Sequence, residues 1–372
     1  MSNGPVWALG LMSGTSMDGV DAALIKTDGK TVAEVGPSLM EPYDEKFRAR
    51  VRSILGGRRR SGEVDAVERE LTLRHAAAVR ALLAKASMTA SRVAVIGFHG
   101  QTITHDPANR FTWQIGDGNL LARETGIAVV YDFRSADVAA GGEGAPFAPA
   151  YHRAIMAGRR MPAVVLNLGG VGNVTWLDEG AEPVAFDTGP GNALIDDWLA
   201  KKAGIQFDEG GAIAAAGRVD RDVLAGLMAH PYFDRPPPKS LDRNDFSAEA
   251  VAGLSVEDGA ATLAAFTVES VARSPYPKPP LSVHVTGGGR KNRTLMDGLA
   301  KRLGVPVLPI EEAGYDGDAL EAQAFAFLAV RHLRGLPTSF PSTTAVPKPI
   351  CGGVLCSPDA APLGAGDGQS AA

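Results

Sequence analysis

The chain has few cysteines, no long apolar run and no excess of positive charge. Its two cysteines, Cys351 and Cys356, both lie near the C-terminal end, so a disulfide framework is excluded and a reducing cytoplasm is the expected location. No apolar run approaches the roughly 20 residues that a membrane-spanning helix needs, and the N-terminus lacks the pattern of a signal peptide. A net charge of −5 argues against a general nucleic-acid binder. We therefore expect neither a membrane nor a nucleic acid as partner.

What the sequence contains is typical of a globular α/β protein. Its 372 residues favour two domains of roughly 150–200 residues each. Apolar residues make up 45% of the chain and charged residues 21%. Hydrophobic periodicity predicts, in the first half, strands at 6–12, 20–27 and 31–41, helices at 44–55 and 64–86, and strands at 93–98 and 127–133. The helix at 64–86 has a predicted buried side formed by Val67, Leu71, His75, Ala78 and Leu82.

The second half repeats this order. Strands are predicted at 163–168, 171–177, 183–186, 281–286 and 305–310, with helices at 193–202, 221–228, 256–273, 293–303 and 317–334. Such repetition predicts two related domains that face each other across a cleft. We expect a first domain at 1–150 and a second at 151–316, with the boundary around 146–162. Residues 317–355 are expected to pack back onto the first domain, and residues 357–372 to form a disordered tail.

The most informative segment is Leu9–Asp21, in which two apolar strands flank a polar turn. The turn offers backbone N–H groups, hydroxyls and a carboxylate within a few residues, which suits a phosphate with its Mg²⁺ ion. Asp18 is the predicted Mg²⁺ ligand. The alternative is an ordinary polar hairpin tip. The residues predicted to hold the phosphates are Ser13, Gly14, Thr15, Ser16, Met17, Asp18, Gly19 and Asp21.

Two glycine-rich turns in the second half are further candidates for nucleotide binding. The turn Gly169-Gly170, followed by Asn173, lies between two apolar strands and resembles the opening hairpin, although such turns are also common without a ligand. A strand ending at Thr286 runs into Gly287, Gly288 and Gly289 and then, past Asn292, into a helix. Glycines there would let a flat ring or a phosphate lie against the main chain, but a flexible turn without a ligand explains them as well.

Asp187 is the candidate general base. It follows a short predicted strand and precedes Gly189-Pro190-Gly191 and an amphipathic helix, for which Asn192 is the predicted N-cap. A carboxylate fixed in this way can accept a proton from a nucleophile. The equally open alternative is that Asp187 only accepts bonds from backbone N–H groups of the turn that follows.

A polar set in the first half suits a polyhydroxy substrate with an anionic arm. Each of its members lies beside a strand or in a loop, where ligand contacts usually occur, although any one of these segments alone could be an ordinary solvated loop. His99 is expected to make hydrogen bonds rather than to bind zinc. The set consists of His99, Gln101, Thr102, Gln114, Asp117 and Arg134.

Several of these segments together resemble the anhydro-N-acetylmuramic acid kinases. The run 10–21 is similar to that family's signature, and 98–102, 167–170, 186–192, 286–289 and 321–326 are similar to further family segments in the same order. The resemblance implies two ribonuclease-H-like domains of the actin-like ATPase and sugar-kinase superfamily, with ATP in the cleft. It also implies a homodimer.

The resemblance further implies the reaction and the roles of individual residues. The family converts 1,6-anhydro-N-acetylmuramic acid, ATP and water into N-acetylmuramic acid 6-phosphate and ADP, in the recycling of peptidoglycan. Asp187 matches the general base that also contacts the sugar, and Glu321 matches a glutamate that helps to hold the water. Residues 14–21 match the segment that binds the ATP phosphates, and 287–289 match a turn on the nucleotide side. Two alternatives remain: another sugar or carboxylate kinase of the superfamily, and a non-enzymatic, nucleotide-gated sugar sensor.

Overall fold

The computed structural model describes residues 4–14, 16–241 and 245–359. Its strands are β1 (Val6–Met12), β2 (Gly19–Thr27), β3 (Val32–Pro42), β4 (Val93–Phe98), β5 (Gln101–Asp106), β6 (Phe111–Ile115), β7 (Val129–Tyr131), β8 (Ala163–Leu168), β9 (Val171–Leu177), β10 (Val184–Pro190), β11 (Ser282–Thr286), β12 (Val307–Pro309) and β13 (Val354–Cys356). Its α-helices are α1 (Glu45–Ile54), α2 (Gly62–Lys85), α3 (Gly118–Thr125), α4 (Ser135–Ala139), α5 (Pro149–Ile155), α6 (Ala193–Ala203), α7 (Ala212–Ala216), α8 (Arg221–Met228), α9 (Val256–Ala272), α10 (Arg293–Leu303), α11 (Leu320–Leu333) and α12 (Pro341–Thr344).

The chain forms two compact units, and neither is a single continuous segment. The first unit contains the residues up to Gly144, then Glu321–Thr338, then the described residues from Pro349 onward. The second unit contains Ala145–Leu320 and Ser339–Lys348. Helix α11, which was expected to pack onto the first domain, therefore belongs to the first unit except for its first residue.

The first unit is built on a six-stranded mixed sheet in the order β13-β7-β4-β1-β2-β3. Strands β1, β2 and β3 are antiparallel neighbours, while β4 pairs in parallel with β1 and with β7. Helix α2 begins where the Ser61 hydroxyl accepts a bond from the Val64 N–H, a standard N-cap. The predicted apolar side of this helix, from Val67 to Leu82, is fully buried. It packs over the sheet with Leu9 and Phe98 to form the core of the unit.

The second unit repeats this topology. Its sheet has the order β10-β9-β8-β11-β12, with β8, β9 and β10 antiparallel and with β11 parallel to both β8 and β12. In the first unit β1 lies between β2 and β4, and in the second unit β8 lies between β9 and β11. The strands β7-β4-β1-β2-β3 of the first sheet have the same relative directions as the strands β12-β11-β8-β9-β10 of the second. The α/β fold with two ribonuclease-H-like domains is thus confirmed. Helices α6, α9 and α10 contribute Trp198, Phe266 and Leu299 to the core of the second unit.

Several elements differ from the sequence prediction. The sequence predicts no strand or helix between 98 and 127, but this segment contains the hairpin β5–β6 and helix α3. Strand β10 continues to Pro190, four residues beyond its predicted end, so Asp187 lies within the strand. Of the expected disordered tail, residues 360–372 lie outside the described residues. No helix in the described part of the chain has the length and apolar character needed to cross a membrane.

Candidate functional site

The turn of the opening hairpin is held by a side chain from a distant strand. The Ser13 hydroxyl is buried, donates to Oε1 of Gln101 at 2.7 Å and accepts from the Tyr43 hydroxyl at 3.1 Å. Nε2 of Gln101 donates to the Gly14 carbonyl at 3.3 Å, and the Met17 N–H donates to the same oxygen at 3.1 Å. Gln101, which is predicted to contact the sugar, therefore holds the turn through both polar atoms of its amide. Thr15 lies outside the described residues.

The remaining residues of this segment differ in their exposure to solvent. Asp18 has a 65% exposed side chain with Oδ1 at 3.5 Å from Nη2 of Arg48, so its carboxylate is accessible. Ser16 is exposed, and a Cβ on Gly14 would meet only the Ser16 hydroxyl, at 3.7 Å. A Cβ on Gly19 would instead overlap the backbone of strand β3. Among the described residues of this segment, the accessible groups that could contact a phosphate are thus those of Gly14, Ser16 and Asp18, while Gly19 and Asp21 belong to strand β2.

Gly10, in the same motif, serves a packing role that the sequence did not reveal. It lies beside Gly97 in the parallel pair β1–β4. A Cβ on Gly10 would overlap the carbonyl oxygen of Ala322, and one on Gly97 would overlap that of Phe325. Helix α11 therefore rests with its backbone directly on these two glycines, which fixes the height of Glu321 above the sheet.

His99, Arg134 and Glu321 form one group in the first unit. His99 and Arg134 follow the neighbouring parallel strands β4 and β7, whose carboxyl ends lie at the same sheet edge. Nδ1 of His99 donates to the Gly100 carbonyl at 2.8 Å, so Nε2 is the acceptor for the Arg134 guanidinium at 3.0 Å. Burial and the positive charge of Arg134 lower the pKa of His99 to about 3, which keeps this imidazole neutral.

Arg134 and Glu321 influence each other electrostatically. Burial lowers the pKa of Arg134 to about 10, and the Glu321 carboxylate opposes this change. Glu321 lies in the first turn of α11 and is accessible to solvent. The surrounding protein raises the pKa of Glu321, while the charge of Arg134 lowers it. The group therefore combines a cation bonded to a neutral imidazole with a carboxylate that interacts electrostatically with that cation.

Thr102, Gln114 and Asp117, also predicted to bind the sugar, lie elsewhere in the first unit. Nε2 of Gln114 donates to Thr112 of the same strand at 2.8 Å and, across the β5–β6 hairpin, to Thr102 at 3.4 Å. Asp117 is the N-cap of α3, where its carboxylate accepts from the Leu120 N–H. Gln114 and Asp117 line a cavity of about 440 Å³. Among the described residues, the lining of this cavity includes neither His99 nor Arg134.

The second hairpin is joined to the segment that follows strand β10. Strands β8 and β9 pair up to Leu168 and Gly172 around the turn Gly169-Gly170. The Asn192 N–H donates to the Gly169 carbonyl at 2.7 Å, and Nδ2 of Asn192 donates to the Leu168 carbonyl at 2.9 Å. Asn192 occupies the N-cap position of α6, but its side chain makes no capping bond to the helix. The predicted N-cap position of Asn192 is therefore confirmed, but its amide holds the hairpin instead of capping the helix.

Asp187 is partly buried and is contacted on three sides by one segment of the second unit. Its N–H donates to the Lys239 carbonyl at 2.9 Å, and its carbonyl accepts from the Tyr232 hydroxyl at 2.6 Å. Oδ2 accepts from the Leu241 N–H at 2.8 Å, so this bond comes from a distant segment and not from the turn after β10. Burial raises the pKa of Asp187 to about 6, against the opposing effects of Leu241 and Lys239. The carboxylate can therefore exchange a proton near neutral pH.

Only one of the three glycines after β11 is open. Gly287 has a φ of 74°, and a Cβ there would overlap Oδ1 of Asn167, while one on Gly289 would overlap the Leu168 side chain. A Cβ on Gly288 would meet only Nδ2 of Asn192, at 3.7 Å. Two of the glycines thus allow close packing against β8, and Gly288 is the one that a ligand can approach.

Arg290 and Asn292 hold this turn in place. The Arg290 guanidinium is almost fully buried and donates to the Gly287 carbonyl at 3.0 Å. It also pairs with Glu311 at 2.8 Å and with Asp318 at 2.9 Å. Oδ1 of Asn292 accepts from the Leu295 N–H, so Asn292 is the N-cap of α10.

Gly288 opens onto the cavity that best suits a nucleoside. This cavity has a volume of about 630 Å³, within the usual range for small-molecule sites. It combines open backbone at Gly210 and Gly288 with the apolar surface of Ile195 and Phe207, and the Phe207 ring is 57% exposed. The lining residues are Asn192, Ile195, Asp196, Phe207, Asp208, Glu209, Gly210, Gly288, Lys291 and Asn292.

The loop 206–211 on the far side of this cavity was not identified from the sequence. The carboxylate of Asp208 accepts from the N–H groups of Ile213 and Ala214, which fixes the loop and leaves Phe207 at the rim. An aromatic residue shortly before Gly210-Gly211 was the available signal.

The described residues provide no ready-made metal centre. Among them, no three His, Cys, Asp or Glu side chains lie close enough together to hold a metal ion. Cys351 and Cys356 are both free thiols, as expected.

The chain is similar to known proteins over nearly its whole length. The profile of the family "Anhydro-N-acetylmuramic acid kinase" matches residues 6–357. The protein of that name from Rhodospirillum rubrum is 57% identical over 369 residues, which covers 98% of this chain and 97% of that protein. The one from Paramagnetospirillum magneticum is 56% identical over 351 residues, which covers 93% and 98%. Among solved structures, component A of (R)-2-hydroxyglutaryl-CoA dehydratase from Acidaminococcus fermentans has a TM-score of 0.49 and 14% identity, covering 87% of this chain and 99% of that one. Because the profile and the sequence relatives extend over nearly the whole chain, it belongs to the anhydro-N-acetylmuramic acid kinase family.

Proposed function

We propose that the protein uses ATP and water to open the 1,6-anhydro ring of anhydro-N-acetylmuramic acid and to phosphorylate O6. The products are N-acetylmuramic acid 6-phosphate and ADP, as expected for a step in peptidoglycan recycling. Family membership supports the reaction, and the observation that carries the mechanism is the environment of Asp187. A partly buried carboxylate with a pKa of about 6 is ionised at pH 7.5 and is still basic enough to take a proton.

In the proposed reaction, Asp187 takes a proton from the water that attacks the anomeric carbon. The bond between that carbon and the bridging oxygen breaks, and the oxygen stays on C6. This oxygen then attacks the γ-phosphorus of ATP, and ADP leaves. Asp187 finally releases its proton to solvent, so that atoms and charges balance. Glu321 is proposed to orient the water, and Arg134 to bind the anionic arm of the sugar.

The nucleotide is proposed to use two places described above. The accessible groups of Gly14 and Ser16 would contact the phosphates through backbone N–H and hydroxyl donors. The nucleoside would occupy the cavity of the second unit, with its base against Phe207 and the backbone of Gly288. Gly169, Gly170 and Asn173 would contact the phosphates from the second hairpin.

The residues present also fit a Mg²⁺ ion. In kinase sites this ion keeps several waters and is bound by phosphate oxygens and only one or two carboxylates. The accessible carboxylate of Asp18 meets that need, although no cluster of three acidic, histidine or cysteine ligands occurs in the described ranges. When bound, the ion would neutralise charge on the phosphates. We also expect a homodimer, as the family resemblance implies.

The test measures ADP formation with ATP, with and without the anhydro sugar, in the wild type and in Asp187→Asn. We expect sugar-dependent ADP release by the wild type and a loss of at least 100-fold in the variant, with unchanged binding of an ATP analogue. Asp178→Asn is the matched control, because Asp178 pairs with the exposed Lys278 on the same unit. Near-normal turnover by Asp187→Asn would remove Asp187 from the role of base.

The same assay distinguishes the two alternatives, neither of which family membership favours. A different sugar or carboxylate kinase would leave the anhydro sugar unreacted but would consume ATP with another acceptor. A nucleotide-gated sensor would bind both ligands without forming ADP.

A further inference from the structure

Lys239 is a buried lysine for which the proposed reaction has no direct use. Its side chain is only 6% exposed, although removing an ammonium group from water is costly unless polar partners replace the water. Its Nζ donates to the Tyr232 carbonyl at 3.1 Å and lies 4.4 Å from the centroid of the Tyr232 ring. The amine therefore joins the two ends of the segment 232–239.

The same segment surrounds Asp187. The Tyr232 hydroxyl and the Leu241 N–H donate to the carbonyl and to Oδ2 of Asp187, and the Lys239 carbonyl accepts from its N–H. Every one of these partners lies within ten residues of the others in sequence. A change in the bond between Lys239 and Tyr232 would thus alter two of the three contacts that fix Asp187.

The charges around this site favour an electrostatic role for Lys239. Its positive charge lowers the pKa of Asp187, in opposition to burial. Burial lowers the pKa of Lys239, and the positive charges of Arg235 and Arg273 lower it further. The carboxylates of Asp234 and Asp187 act in the opposite direction. Tyr232 is additionally influenced by Arg235 and Asp245.

We infer that Lys239 is a positioning residue for Asp187: its ammonium group, bonded to the Tyr232 carbonyl, closes the 232–241 segment around the carboxylate. This inference rests on the proposed role of Asp187 as general base. Lys239 is not required to contact the sugar or the nucleotide.

The test is a pH titration of the Asp187 carboxyl carbon by NMR in protein labelled with ¹³C-aspartate. The Asp187 signal is identified by its absence from Asp187→Asn. Two variants are compared with the wild type: Lys239→Met removes the charge and the donor, whereas Lys239→Gln removes the charge but keeps an N–H donor for Tyr232. Lys202→Met is the matched control, because exposed Lys202 also donates to a backbone carbonyl (Ala252, 2.9 Å) and also faces an aromatic ring (Trp198, 5.0 Å).

Both Lys239 variants should raise the titration midpoint of Asp187 by about one pH unit, and the control should leave it unchanged. The acid limb of the pH profile of kcat/KM for the sugar should move by the same amount, giving roughly a fivefold loss at pH 6 and little loss at pH 8.5. Lys239→Arg, which keeps the charge, should restore the wild-type profile.

An unchanged midpoint in Lys239→Gln together with a lower melting temperature would overturn the inference and leave Lys239 a purely structural residue. Lys239→Gln decides the matter even if Lys239→Met folds poorly, because it retains the donor. Failure of the proposed function has a different signature. The wild type would then form no ADP in response to the sugar, while the carboxyl titration would still report on Lys239.

Discussion

Gly10→Ala tests whether the first glycine of the signature serves packing or the ligand. In the structure, a methyl group at this position would overlap the Ala322 carbonyl oxygen and would crowd the Ala326 N–H. Both atoms belong to the backbone of helix α11, which cannot rotate out of the way as a flexible side chain could. The helix must therefore move off the sheet, or the strand must bend.

The size of the effect follows from the contact distances. Non-bonded atoms pack at about 3.5 Å, so the helix would have to retreat by about 1–2 Å. Overpacking of this kind typically costs about 1–3 kcal/mol, which corresponds to a fall of roughly 3–10 °C in the melting temperature of a unit of this size. Because Glu321 begins the same helix, it would be displaced too, and a shift of about 1 Å in a positioned group can lower kcat by about 100-fold.

The assay combines thermal unfolding, followed by circular dichroism, with sugar-dependent ADP formation. Gly62→Ala is the matched control, because Gly62 lies in the first turn of α2 in the same unit and a Cβ there would meet nothing within 4 Å. We expect Gly97→Ala to behave like Gly10→Ala, since its methyl group would overlap the Phe325 carbonyl of the same helix. A Gly10→Ala protein with the melting temperature and kcat of the control would refute this interpretation.

Three further predictions concern residues of the candidate site. Asp187→Asn should melt at a higher temperature than the wild type above pH 6, because the raised pKa of Asp187 means that its ionised carboxylate destabilises the folded state. The difference in melting temperature should disappear below about pH 4, where the wild-type carboxyl group is protonated in both states. A difference that persists below about pH 4 would contradict this explanation. Gln101→Leu should raise the KM for ATP several-fold, because the Gly14 turn loses its support, and an increase confined to the KM for the sugar would instead favour the original prediction that Gln101 contacts the sugar. Phe207→Ala should raise the KM for ATP by about tenfold without changing the KM for the sugar, and equal effects on both would place the nucleoside elsewhere.

Local sequence patterns were sufficient to predict the hairpins β1–β2 and β8–β9 and most strands of the two large sheets. A glycine-containing turn between two apolar runs can be recognised within about twenty consecutive residues. This pattern occurs at Leu9–Asp21 and again in the second half of the chain, at Gly169-Gly170. The buried side of α2 was likewise predicted because it depends only on the spacing of apolar residues within one helix. By contrast, β5 is mostly polar (Gln-Thr-Ile-Thr-His-Asp), and such a composition does not distinguish a strand from a loop.

The features that the sequence did not reveal depend on residues far apart in the chain. Gly10 and Gly97 become neighbours only when β1 and β4 pair, and their need for small size comes from a helix more than 200 residues later. The bond between Ser13 and Gln101 joins positions 88 residues apart. Asn192 has the local pattern of an N-cap, but its Nδ2 donates to the carbonyl of Leu168 in strand β8, and this bond orients the amide toward the hairpin.

The path of the chain between the two units has a consequence for synthesis on the ribosome. The first unit is not complete at Gly144, since it still lacks α11 and β13, which are translated only after Ala145–Leu320 of the second unit. Until then, the glycine surface of β1 and β4 has no helix to cover it, whereas most of the second unit is already available to fold. The domain that begins first is therefore the one that finishes last, and a nascent chain would be most vulnerable to aggregation or proteolysis in its N-terminal half.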